Sequence, residues 1–213
     1  MIGVAAPSIA LAAPSAAVAL HPVAAAHAQV TAGNAPVTAS DPSSSSTSSC
    51  PSYSLSQAFL SWGDSHEYTL LGGESVDNVG GQGWQLSHGA HLTTATLADG
   101  SQGQVLDMPA GSVAITPPMC VNDSGYPRAR AMVSDLSGSQ GIAVYVSYPG
   151  TRVLARPLAA GRIKNMRSGF RPTRPIMLHA GPLRGVHKVV LRLVARGGEY
   201  QLYNLYIDPL RIR

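Results

Sequence analysis

The first forty residues of this 213-residue chain contain no Asp, Glu, Lys or Arg, and no base occurs before Arg128. Charged residues make up only 12% of the whole, about half the usual share. Charge this sparse excludes a coiled coil, which needs dense charge of alternating sign beside its apolar seam. No apolar run of about 18 or more residues follows position 40, which excludes a polytopic membrane protein. Aromatics are also few, at 6%, so a core has to be built from Val, Leu, Ile and Ala around the anchors Trp62, Trp84 and Phe170. There is no P-loop, no G-x-G-x-x-G and no G-x-S-x-G nucleophile elbow.

The charge that is present is divided. Residues 41–127 carry eight acids and no base, and residues 128–213 carry all fifteen bases and three acids. The two stretches hold −8 and +12, which make up the net +4. This is too diffuse for nucleic acid, which calls for a dense basic patch.

Residues 1–28 are rich in Ala, Val, Leu and Ile, and close on the small-x-small site Ala26-His27-Ala28. This is the pattern of a secretory signal peptide cleaved after Ala28, although the positive n-region is missing. Pro7, Pro14 and Pro22 interrupt the run and argue against a stable membrane span. Residues 29–49 are Ser, Thr, Ala and Pro with almost nothing to bury. Such a segment cannot offset its ordering entropy and is expected to be a disordered linker. Residues 50–213 then form the candidate domain.

Export favours a disulfide, and two cysteines allow one intramolecular pairing, Cys50 to Cys120. Neither a C-x-x-C spacing nor a ligand cluster supports a metal or redox role. In the candidate domain, Gly, Pro, Asn and Ser recur every eight to twelve residues, the spacing of an all-β sandwich. Alternating runs predict strands over Gly83–Leu92, Gln104–Met108, Gly111–Thr116, Arg128–Ser134, Gly141–Tyr148, Val186–Arg196 and Glu199–Asp208. The last two, joined by Gly197-Gly198, read as a hairpin. About eight or nine strands fit two packed antiparallel sheets. Helix is expected to be scarce, with a turn within Ser54–Leu60. The acidic and basic stretches are then expected to interleave as strands within the same sheets.

With these residues in place, the chain resembles a family of uncharacterised, secreted actinobacterial proteins. Their shared pattern is met by Cys50; by Phe59, Trp62, Gly63 and Asp64; by Tyr68 and Leu70; by Gly72-Gly73; by Gly83-Trp84; by Pro118-Met119-Cys120-Val121; and by Tyr206-Ile207-Asp208-Pro209. That family is in turn similar to the galactose-binding-like, carbohydrate-binding-module type of jelly roll. The resemblance implies a secreted or wall-associated β-sandwich that binds a carbohydrate. It also implies a possible structural calcium at Asp77 and Asp208. The chain departs from the pattern where Asp77 replaces Glu and where Tyr203-Asn204 replaces an Asp-Asp pair. Hard cations depend on several oxygen ligands, so these changes weaken the calcium reading.

His88-x-x-His91 is the one close histidine pair, but on a strand its members face opposite ways. The acids Asp64, Glu67, Glu74, Asp77, Asp107 and Asp123 keep a polysaccharide hydrolase or lyase as an alternative. The more suggestive set is cationic and aromatic: Arg128 with Arg130, and Arg192 with Arg196, beside Tyr145, Tyr200 and Tyr203 on neighbouring strands. Guanidinium forks and phenol rings on an exposed sheet face suit a glycan or an anionic wall polymer. The expected function is therefore a non-catalytic module that binds a glycan or cell-envelope polymer through Arg128, Arg130, Tyr145, Arg192, Arg196 and Tyr203. A purely structural surface domain is the remaining alternative.

Overall fold

After Cys50 the alternating apolar positions become strands, because successive side chains of an extended chain point to opposite faces. The computed structural model describes residues 50–71, 83–151, 156–164, 169–178 and 183–209. The signal and linker segments, 1–28 and 29–49, lie outside the described residues. Among these residues there are thirteen strands and two turns of 3-10 helix, Leu60–Trp62 and Asp123–Gly125. The first turn falls just after the Ser54–Leu60 stretch in which one was expected.

In chain order the strands are β1 (Thr69–Leu70), β2 (Gln85–Ser87), β3 (His91–Thr96), β4 (Gln102–Met108), β5 (Val113–Ile115), β6 (Met119–Asn122) and β7 (Arg128–Gly138). They continue as β8 (Ile142–Ser147), β9 (Leu158–Ile163), β10 (Arg171–Pro172), β11 (Ile176–Met177), β12 (Val186–Ala195) and β13 (Gly198–Asp208). One sheet runs β10-β7-β13-β4-β3, with β1 joined to β13 and β11 to β7. The other runs β2-β5-β12-β8-β9, with β6 joined to β12. Every strand pair is antiparallel. This is the all-β sandwich of two antiparallel sheets that the alternation predicts.

The core lies between the sheets. Leu106 and Met108 of β4, Ala129, Ala131 and Val133 of β7, and Tyr200, Leu202, Leu205 and Ile207 of β13 face it from one side. Ile142, Val144 and Val146 of β8, and Val189, Leu191 and Leu193 of β12, face it from the other. Aliphatic residues dominate, as the scarcity of aromatics requires. Trp84 is only partly buried, packed against this cluster.

Three sequence expectations are corrected. First, β12 and β13 are not a hairpin. Strand β12 pairs with β5, β6 and β8, whereas β13 pairs with β1, β4 and β7. The Gly197-Gly198 turn therefore carries the chain from one sheet to the other. Both strands have an apolar inner face, and that pattern is the same whether two strands lie side by side or face each other across a core. The turn passes close to β7, since a Cβ at Gly138 would stand 2.3 Å from the Gly197 carbonyl oxygen. Second, Gly83–Leu92 is not one strand. Positive φ at His88 (56°) and Gly89 (91°) breaks it, placing β2 in the second sheet and β3 in the first. Third, the charges do not interleave in both sheets. The strands of the first sheet carry both signs, but those of the second contain no Asp or Glu.

Cys50 and Cys120 are joined, with an S–S distance of 2.00 Å and a sequence separation of 70. The bond ties the start of the domain to β6, and the Tyr53 hydroxyl accepts the Cys120 amide proton at 2.8 Å beside it. Closing a loop of this length is expected to stabilise the fold by roughly 4 kcal/mol through the denatured state. Urea unfolding of the intact and reduced chain should show a loss of that order, and Cys50→Ser should behave as the reduced chain does. Equal stability with and without the bond would contradict this.

Candidate functional site

The outer face of the first sheet is set by a bulge in β13. Simple alternation would put Tyr203 and Tyr206, three residues apart, on opposite faces. The pairing with β7 shifts register between them, and Asn204 takes a left-handed φ of 52°. The inserted residue lets both tyrosines face outward, while Leu202, Leu205 and Ile207 stay in the core. Across from them on β7 stand Met132, opposite Tyr203, and Arg130, opposite Tyr206.

A segment from the domain's start lies over part of this face. Ser56 and Tyr68 exchange two backbone hydrogen bonds of 2.8 Å, which close residues 56–68 into a loop. Phe59 is buried there, edge-on to Tyr68 and Tyr206 with centroids 5.2 and 5.3 Å away. The 3-10 turn Leu60–Trp62 ends at Gly63, whose φ of 79° lets its amide close back on the Leu60 carbonyl. The next residue, Asp64, meets the sheet. Phe59, Trp62, Gly63 and Asp64 of the sequence pattern are thus one structural device.

Asp64 is the hub of a nearly buried cluster. Its Oδ2 pairs with the Arg130 guanidinium and accepts from the Tyr68 hydroxyl at 2.8 Å. Its Oδ1 accepts from the His66 amide at 3.0 Å and lies 2.6 Å from His66 Nδ1. Burial by itself would raise the Asp64 pKa. The hydrogen bonds from the His66 amide, Tyr68, the His66 ring and Arg130 outweigh it and hold the carboxyl well below the ordinary carboxylate range. Burial, and then the Asp64 carboxylate, push the Tyr68 phenol above its usual value. Arg130 is 8% exposed. It also donates from Nε to the Thr173 carbonyl at 2.8 Å and stacks 4.4 Å over the Phe59 ring.

Beside this loop lies a cleft of about 380 Å³, walled by Trp62, Leu97, Asp99, Tyr203, Asn204 and Tyr206 among others. Trp62 is 42% exposed, with the Arg171 guanidinium 5.5 Å from its ring centroid. The Asn204 Oδ1 is buried and makes no hydrogen bond. Asp99 is exposed, and the Ser101 side chain and amide that bond it lower its pKa. A larger cleft of about 590 Å³ lies along Pro51–Ser56, β1 and Pro117–Met119, and among the described residues no charged or amide side chain lines it.

The sequence-predicted face is divided between the two sheets. Arg128, Arg130 and Tyr203 stand on the first sheet. Arg130 is held by Asp64, and Tyr203 is 6% exposed, edge-on to Phe170 at 4.8 Å. The Tyr203 hydroxyl accepts the Ala98 amide proton at 3.2 Å. Tyr200 is fully buried in the core; its hydroxyl donates to the Arg196 carbonyl at 2.9 Å and accepts from the Gly141 amide at 2.8 Å. Tyr145, Arg192 and Arg196 do come together, on the outer face of the second sheet. Trp62 was read in the sequence as an apolar anchor. Its neighbours were the available signal: it stands in a turn ended by a glycine, outside any alternating run.

Asp77 lies outside the described residues, as do Glu74 and His179. Asp208 is buried at the end of β13, opposite Arg128 in register. The neighbour across from this carboxylate is thus itself a cation. Among the described residues no three of His, Cys, Asp and Glu stand together as metal ligands. Of the candidate catalytic acids, Asp64 is neutralised by Arg130. Asp123 is buried and accepts from the Tyr148 hydroxyl at 2.9 Å. Asp107 is on β4, with His91 Nε2 3.7 Å from its Oδ2. His88 is in the turn before β3, apart from His91.

No protein-family model matches the chain, and no curated protein does. Among solved structures it is similar to a carbohydrate-binding module, CBM6cm-2, from Cellvibrio mixtus lichenase 5A in complex with cellotriose. That match has 17% identity and a TM-score of 0.36, and covers 58% of this chain and 88% of that one. It is similar to the CBM22-1 xylan-binding domain of Paenibacillus barcinonensis Xyn10C, at 10% identity and a TM-score of 0.40, over 62% of this chain and 88% of that one. It is also similar to the CBM22-1 and GH10 modules of a Clostridium thermocellum xylanase complexed with xylohexaose. There the identity is 12% and the TM-score 0.44, over 65% of this chain and 27% of that one.

Removing the Asp64 charge leaves the Arg130 cation under the loop without its counter-charge. Asp64→Asn is expected to lose about 3 to 5 kcal/mol at neutral pH. Because the folded pKa of Asp64 lies below its unfolded value of about 3.9, its contribution is present above that value and fades as the pH falls through and below it. Urea titrations should therefore show the gap between the parent and Asp64→Asn narrowing from pH 7 to pH 3. A gap that stays constant, or no gap at pH 7, would contradict the assignment.

Proposed function

We propose that this chain is an exported, non-catalytic module that binds a glycan or cell-envelope polymer in the cleft beside Trp62. The observation that carries the reading is the exposed Trp62 on the wall of a cleft that also offers polar side chains. A pyranose presents C–H groups on its faces and hydroxyls around its rim. An exposed indole offers a flat apolar surface to the first, and amide, carboxylate and guanidinium groups offer hydrogen bonds to the second. Asn204, whose Oδ1 has no partner, stands on the same wall, and Asp99 and Arg171 lie within the same neighbourhood.

The disulfide supports an oxidising compartment, in keeping with export and a cell-wall or extracellular location. Among the described residues no helix is long and apolar enough to cross a membrane. The commitment of Asp64 to Arg130 and of Asp123 to Tyr148 lends no support to a hydrolase or lyase.

The full chain should be retained by purified cell wall or by at least one neutral polysaccharide, and should release no sugar from it. Trp62→Ala should lower the affinity by about tenfold or more, as loss of an aromatic anchor does at binding sites, with the melting temperature little changed. Retention by no glycan would contradict the proposal in favour of a structural domain. Unchanged retention of Trp62→Ala would place the site elsewhere.

A further inference from the structure

The cleft accounts for the first sheet's outer face. The second sheet's outer face has a different chemistry, independent of the cleft. Its strands β2, β5, β6, β8, β9 and β12 include Arg162, Lys188 and Arg192 but no Asp or Glu. Arg196 follows β12 directly. Arg192 lies opposite Tyr145 in register, with its guanidinium 5.9 Å from the ring centroid. Arg196 donates to the hydroxyl of the same tyrosine at 3.1 Å. On the next strand Arg162 lies opposite Ala143, two residues along β8 from Tyr145. Val113, Ala143 and Val194 form an apolar floor there, with Ile115 and Tyr145 packed on it.

Two guanidiniums thus meet one tyrosine, and a third, Arg162, which donates from Nη1 to the Gln140 carbonyl at 3.2 Å, stands on the neighbouring strand. Among the described residues no ion pair involves Arg162, Arg192 or Arg196. Arg192 and Arg196 are held to the tyrosine by its ring and its hydroxyl, and no acid occurs on any strand of the sheet to neutralise them. Like charges brought together in this way repel one another until an anion arrives. Guanidinium forks suit carboxylate and phosphate oxygens, which they can hold by two parallel hydrogen bonds. Neighbouring rungs of one strand face are about 6.5 to 7 Å apart, so a chain with an anion on each repeat unit can meet several of these cations at once.

We infer that the outer face of the second sheet is a second binding site, for an anionic envelope polymer bearing phosphodiester or carboxylate groups. The cations that recognise it are Arg192 and Arg196, both in contact with Tyr145, and Arg162 on the neighbouring strand. The module then grips a neutral glycan on one face and a charged polymer on the other.

The test is retention of the full chain on immobilised poly(glycerol phosphate) and on polygalacturonate, at low and at physiological salt. Duplex DNA of comparable charge serves as a third arm. Binding to one of the two polymers is expected, weakening as salt rises. The polymer that binds identifies phosphate or carboxylate as the anion. The double variant Arg192→Ala/Arg196→Ala should weaken that binding by about tenfold or more, in the range found for charge-assisted contacts. The same variant should leave neutral-glycan retention intact, and Trp62→Ala should leave polyanion binding intact, so failure of one site is distinguishable from failure of the other. Arg162→Ala, on an exposed position of β9, is a second variant that does not disturb the Tyr145 contacts. Binding to neither polymer, undiminished binding by both variants, or equally tight binding to DNA would overturn the inference.

Discussion

The outer face of the first sheet depends on one ion pair. Arg130 is on a strand position that alternation turns away from the core, yet it is almost completely covered. A guanidinium can be covered in this way only if its charge is met. Asp64 meets it, the Thr173 carbonyl accepts from its Nε, and the Phe59 ring lies against its flat face. Because Asp64 ends the turn that carries Trp62, the same pair fixes the loop 56–68 on the sheet. Without it the loop would keep its Ser56–Tyr68 backbone bonds and the Phe59 packing, but over an uncompensated cation. The short 3-10 turn and Gly63 then do the local work, aiming Phe59 into the sheet and leaving Trp62 at the surface.

The two sheets share a core but differ in what they present outward. The first has an aromatic and amide surface, partly roofed by a loop and indented by a bulge at Asn204. The second has a bare basic surface over an apolar floor. The net +4 of the chain is therefore not spread evenly. Asp64 and Asp107 of the first half lie on the first sheet and the loop over it, where Asp64 finds Arg130, and Asp208 of the second half lies across from Arg128. Arg162, Lys188 and Arg192 lie on strands of the second sheet, and Arg196 directly follows β12. A disulfide from Cys50 to Cys120 pins the covering segment at its other end, so the roof is anchored both covalently and electrostatically.

Much of this was legible in the residues. The β-sandwich followed from alternating runs and turn spacing, and the cysteine pairing from a count of two. Phe59, Trp62, Gly63 and Asp64 stood out as a group before their joint role was visible. Other features could not be read. The alternation of β12 and β13 is identical for a hairpin and for two strands facing each other, and only the pairing partners separate the two. The bulge at Asn204 turns Tyr206 to the same face as Tyr203, against simple alternation, and no local signal marks it. Arg130 looked like a surface base because its partner is 66 residues earlier in the chain. Arg192, Arg196 and Tyr145 were grouped correctly because the register of two neighbouring central strands brings them together, whereas Arg130 and Tyr203 belonged to the opposite sheet.

The central claim is that Trp62, and not the core-packed Trp84, touches the ligand. The chain has only these two tryptophans, so a nitrogen-15 labelled sample gives two indole N–H signals. They can be followed while a soluble oligosaccharide of the retained glycan is added to the full chain. The account predicts that the Trp62 signal moves with saturation and the Trp84 signal stays in place. A shift of Trp84 alone, or no shift of either at a concentration that saturates binding, would contradict it.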